Sequence, residues 1–110
     1  MEKFYSYFFT RQDISPEQQL VQTAHAALEL GHRLTQKQVR NLHFACCSVA
    51  DLKELRQVAQ DLHKLGYQYV LFYEPDLRGE LTSIGVYPIT DSARGVLRDH
   101  KLLRFGTDSF

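Results

Sequence analysis

A chain of 110 residues has room for one hydrophobic core and not for two. Its 44% hydrophobic and 24% charged content lies in the globular range, which excludes wholesale disorder. Lys plus Arg and Asp plus Glu both number 13, so the formal net charge is zero; this argues against strong non-specific nucleic-acid binding and leaves room for local basic patches.

Lys3 to Thr10 is aromatic-rich and bounded by Arg-Gln-Asp, which predicts a buried first strand. Ser15-Pro16-Glu17-Gln18 then reads as a helix start, with Ser15 as the cap, Pro16 in the first helical position and Gln18 completing a capping box. Leu20, Val21, Ala24, Ala27 and Leu28 recur at helical spacing until Gly31 stops the pattern. On a helical wheel Leu20, Ala24, Ala27 and Leu28 centre the apolar stripe. Gln18, Gln22, His25 and Glu29 fall together on its border and the neighbouring polar face.

A polar connection, His32 to Arg40, leads into a second strand near Asn41 to Cys47. Ser48 and Asp51 fit a further capping box, for a helix that buries Val49, Leu52, Leu55, Ala59, Leu62 and Leu65 and ends at Gly66. Tyr67 to Tyr73 is nearly continuous in apolar character, which predicts a central strand covered on both faces. A tight turn at Pro75-Asp76 then leads to a fourth strand, Leu81 to Tyr87. Thr90 or Asp91 can cap a last helix running to about His100, ahead of a short tail that packs Leu103 and Phe105. Helices alternating with strands, then a hairpin, imply one α/β domain over residues 1–110: a small mixed four-stranded sheet with helices packed on its faces.

Cys46 and Cys47 are adjacent and point to opposite faces of a strand, so reduced thiols are expected. The histidines show no metal-ligand spacing, and neither a metal nor another cofactor is expected. No run approaches the length that crosses a bilayer, and the start of the chain lacks a signal peptide's anatomy. The expectation is a soluble, cytoplasmic protein with no membrane partner.

Two residues of the hairpin invite a functional question. In Glu74-Pro75-Asp76 the proline pre-sets a turn and Asp76 can bond backbone amides two residues on, so turn chemistry alone accounts for it. Thr82, six residues later, is a good strand residue in its own right. His25 can sit at a helix boundary bonded to Glu29, or present its imidazole for chemistry. Arg94, Arg98 and Lys101 recur at helical spacing with Arg104 just beyond; a solvated face is the simpler reading, an RNA-backbone contact the sharper one.

Taken jointly, Gln22-x-x-His25-Ala26 on the first helix, and Asp76 followed by Thr82-Ser-Ile-Gly-Val-Tyr-Pro88, resemble the type-2 peptidyl-tRNA hydrolase family. That family shows A-Q-x-x-H-A on its first helix and a D-A-G-x-T turn leading into T-V-L-G-I-G-P. The resemblance covers most of Phe4 to Pro88, including the capped helix that ends in Lys-Leu-Gly66. It implies the family's layered α/β fold, cleavage of the ester joining a peptide to tRNA, and the acceptor end of tRNA as partner. Residue by residue it carries over Gln22, His25, Asp76 and Thr82, with His25, Asp76 and Thr82 in catalytic roles and Gln18 and Gln22 toward the substrate. The chain departs from the family where Gln18 replaces a lysine, where Glu80 replaces the turn threonine, and in a much shorter hairpin. Gln18 can donate a hydrogen bond but brings no charge, which should weaken transition-state stabilisation by roughly a few kcal/mol.

Two further hypotheses stand beside the hydrolase. One is a non-catalytic binding module of the same fold that recognises tRNA ends, a small ligand or a protein partner. The other is a structural homodimer joined through an exposed strand edge or the aromatic first strand.

Overall fold

The computed structural model describes residues 3–95 and Leu97. It is an α/β domain built on a mixed five-stranded sheet. In chain order the elements are β1 (Phe4–Arg11), α1 (Pro16–Gly31), α2 (Gln36–Arg40), β2 (Leu42–Val49), α3 (Leu52–Lys64), β3 (Tyr69–Glu74), β4 (Glu80–Val86) and the two-residue β5 (Ile89–Thr90). The strand order is β2-β1-β4-β3, with β5 paired to the start of β1. β1 and β2 run parallel over their whole length, whereas β4 is antiparallel to both β1 and β3.

The side-chain alternation of β1 divides the molecule into two layers. Tyr7 and Phe9 point to one face, where Leu55, Val58 and Leu62 of α3 complete the main core with Leu81, Ile84 and Val86 of β4. Phe8 points to the other face and packs with Ala26 and Leu30 of α1 and Val70 of β3. The adjacent cysteines divide in the same way, Cys47 toward the α3 layer and Cys46 toward the α1 layer. Neither is paired, and burial pushes both thiols up, Cys47 to about 11.

Local sequence explains where the helices start. Ser15 caps α1 by accepting the Gln18 amide, with Pro16 in the first turn. The Gln18 side chain instead turns along the helix to Gln22, so the expected box is half made. α3 is capped by Asp51, while Ser48 and Val49 belong to β2. The expected polar connection holds α2, whose Thr35 and Gln38 form a full capping box. Arg11 ties the end of β1 to the start of β4 by binding Asp13 and Glu80, which holds the Asp13 carboxyl below its usual range.

Five expectations are corrected. Among the described residues the sheet has five strands, because β5 adds a short fifth against β1. β3 is an edge strand: although its residues face both layers, β4 lies between it and β1. Leu65 is 56% exposed and outside the core. The chain after Thr90 makes a 3-10 turn at Asp91–Ala93, and the remainder of the expected last helix and tail lies outside the described residues. Arg94 is not part of a free basic face; it lies 3.8 Å over the Tyr5 ring and donates to the Tyr7 hydroxyl and Asp91. Arg98, Lys101 and Arg104 lie outside the described residues.

The sixth difference is the one that builds the site. α1 does not turn its apolar stripe to the sheet. Its buried residues are Gln19, Gln22, Thr23, Ala26 and Leu30, whereas Leu20 and Leu28 are 61% and 73% exposed.

Candidate functional site at the junction of the first helix and the hairpin

The polar underside of α1 has its cause in β4. The β3–β4 register pairs Phe72 with Ser83 and Tyr73 with Leu81, so Thr82 is an extra residue on the β4 side. Such a bulge breaks strict alternation. Thr82 and Ser83 consequently both reach the α1 layer, while Leu81 and Ile84 on either side stay in the α3 core. Two hydroxyls under a helix require polar partners, because an unpaired buried hydroxyl costs about 1–3 kcal/mol.

Those partners come from α1 and β1. Thr10 Oγ1 lies 2.7 Å from Thr23 Oγ1 and 2.9 Å from Ser83 Oγ. Ser83 also donates to the Phe9 carbonyl, and Thr23 to the Gln19 carbonyl. Thr82 donates to Gln22 Oε1 at 2.7 Å, with a longer contact to the Phe72 carbonyl at 3.4 Å.

Gln22 is the hub. Accepting from Thr82 fixes its amide orientation, so Nε2 points the other way and donates to Gln18 Oε1 at 3.1 Å and Glu74 Oε2 at 2.9 Å. Both Gln22 and Thr82 are fully buried. Glu74 reaches the hub by strand periodicity: Val70, Phe72 and Glu74 alternate onto one face of β3. Its other oxygen accepts the Asp76 backbone N–H at 3.1 Å. The Gln22 amide, the Asp76 N–H and then the nearby His25 hold the Glu74 carboxyl below its ordinary value of 4.5.

His25 lies one helical turn beyond Gln22 and is exposed at the layer's edge. Its ring stacks on Phe72 with centroids 4.6 Å apart and planes within 4°. The helix-boundary bond to Glu29 does not form, since Glu29 pairs with Arg33. A rim results in which an imidazole on a flat aromatic seat adjoins an ionised carboxylate, with Gln18 beside them. Gln18 is exposed, and its Oε1 accepts from Gln22.

Of the residues nominated from sequence, Gln18, Gln22 and Thr82 share one hydrogen-bonded chain, and His25 joins its rim. Asp76 is placed differently. It sits in the 3-10 turn Pro75–Leu77, exposed, and meets the network through its backbone N–H, not its carboxylate. The carboxylate at the hub is Glu74, which sequence reasoning missed. Period-two alternation from Phe72 was the signal that could have found it.

The acid response of Glu74 follows from the sign of its shift. A carboxyl with a depressed folded-state value contributes stability that is complete above its unfolded value and lost as pH falls through the folded one. The unfolding free energy of wild type and Glu74→Gln, measured by urea titration between about pH 6 and pH 3, should therefore converge below about pH 4.5. A gap that stays constant across that range would show that the Gln22–Glu74 bond does not favour the ionised form.

No family model matches this chain, and no curated protein matches it.

Proposed function

We propose that this chain is a peptidyl-tRNA hydrolase-like protein that cleaves the ester between a peptide and the acceptor end of tRNA. The observation that carries the reading is the rim itself: His25 stacked on Phe72, near an ionised Glu74 that buried Gln22 anchors. The resemblance of Gln22-x-x-His25-Ala26 and Asp76…Thr82-…-Pro88 to the type-2 family supports the same conclusion.

In this reading His25 takes a proton from water as the water oxygen attacks the ester carbonyl carbon. Glu74 stabilises the imidazolium that forms. The exposed Gln18 side chain donates its amide N–H to the carbonyl oxygen as it becomes negative. When the carbonyl–ribose oxygen bond breaks, the imidazolium returns its proton to the departing ribose oxygen. Thr82 acts through Gln22 and is a positioning residue, and Asp76 lends its backbone N–H to Glu74. With no lysine in the place of Gln18, turnover is slow.

A second reading, a binding module that holds tRNA ends without cleavage, draws on the burial of Gln22 and Thr82. Their side chains satisfy each other and are closed to a substrate. Purified protein in excess over N-acetyl-aminoacyl-tRNA separates the two. The hydrolase reading predicts release of the acylated amino acid above the spontaneous rate. Salt-dependent tRNA binding without release would transfer the conclusion to the binding module. Neither release nor binding would remove both.

A further inference from the structure

We infer that the free edge of β3 holds the peptide part of the substrate as an added parallel strand, an inference that rests on the hydrolase reading. Among the described residues β3 pairs with β4 alone, so its other side is a sheet edge. The rim lies on that edge: Phe72 and Glu74 belong to β3, and His25 stacks on Phe72. The other long edge, β2, stands at the far end of the order β2-β1-β4-β3, about 15 Å away across three strand spacings.

The register fixes which backbone groups face outward. The Tyr87 N–H donates to the Gln68 carbonyl, so Gln68, Val70 and Phe72 turn their backbone groups toward β4. Tyr69 and Leu71 turn theirs the other way, and among the described residues no hydrogen bond reaches them. A peptide whose ester carbonyl lies at His25 and whose chain extends toward Tyr69 runs parallel to β3. The esterified residue then sits opposite Phe72, and its N–H donates to the Leu71 carbonyl. The third residue from the ester accepts from the Leu71 N–H and donates to the Tyr69 carbonyl. The second residue turns its backbone groups away from β3.

Every peptide presents these groups whatever its sequence, so edge pairing suits a substrate defined by its ester linkage and not by its side chains. Tyr69 and Leu71 pack their side chains against the α3 core, which fixes the backbone they present. From Phe72 to Tyr69 the edge runs about 10 Å, the length of roughly three residues.

Single-turnover cleavage of tRNA carrying acetylated alanine peptides of increasing length, at subsaturating protein, tests this. The rate constant should rise about tenfold from one residue to three, through two added hydrogen bonds, and then level off. With wild-type protein, N-methylation of the third residue should remove most of that gain, and N-methylation of the second should not. Leu71→Pro takes away one outward N–H at a position where an edge strand tolerates proline. It should slow the three-residue substrate and leave the one-residue substrate near wild type. A rate independent of length overturns the inference and leaves the hydrolase reading standing. So does a length dependence that third-residue N-methylation leaves intact, because the peptide then lies elsewhere. Equal losses from N-methylation at the second and third residues overturn the parallel register. Cleavage at no length removes the hydrolase reading and the inference with it.

Discussion

His25→Ala should slow single-turnover cleavage of N-acetyl-aminoacyl-tRNA by about 10²–10⁴-fold, the usual contribution of a positioned general acid–base group. The substitution is a clean one to make. His25 is exposed, and its ring contact is the flat stack on Phe72, so removing it should cost only about 0.5–1.5 kcal/mol of stability. Affinity for tRNA, measured by fluorescence titration at fixed salt, should change little. Phe72→Leu keeps an apolar side chain under the helix and takes away the planar seat; it should lose rate to a smaller degree. Full activity in His25→Ala would mean that the imidazole is a surface residue resting on an aromatic ring.

Gln22→Leu should lower the unfolding free energy by about 2–4 kcal/mol, although it replaces a polar side chain in a buried position with an apolar one of similar size. Three bonds go with the amide: acceptance from Thr82 and donation to Gln18 and to ionised Glu74. Thr82 is then buried with only the long contact to the Phe72 carbonyl. Gln22→Glu should be worse at neutral pH, since it sets a second carboxylate against Glu74, and should recover as acid protonates the pair. Urea titration of both variants checks the order. A Gln22→Leu protein as stable as wild type would show that an apolar seam serves equally well.

The layered α/β plan was legible because its signals are local. Ser15-Pro16 and Asp51 mark helix starts whatever the tertiary context, and Gly66, at a φ of 82°, ends α3 where only a residue without Cβ is unstrained. The face that α1 buries was not legible, because it depends on β4. Periodicity pointed to Leu20, Ala24 and Leu28, and the helix turned the other way because a bulge places the Thr82 and Ser83 hydroxyls beneath it. A bulge is a property of two strands in register and leaves no mark on one strand's pattern. β3 was misread for a related reason: facing two helical layers gives it an apolar run, and that run does not reveal which strands lie beside it.

The candidate site was half legible. Gln18, Gln22 and His25 share a helix edge that a wheel displays, and Thr82 meets them as part of the same network. The carboxylate was sought at the turn, where Asp76 draws attention by following a proline. The one that reaches Gln22 is Glu74, two residues earlier, because strand alternation continues to the last residue of β3.

Buried Gln22 is the pin that holds the Glu74 carboxylate near the Phe72-stacked imidazole of His25. A double-mutant cycle between Gln22→Leu and Thr82→Val, read as unfolding free energy, measures that pin directly. The expected result is a coupling of about 1 kcal/mol or more, with the double variant less damaged than the sum of the singles. Effects that add to within about 0.3–0.5 kcal/mol would contradict it, showing that the two side chains stabilise the fold independently.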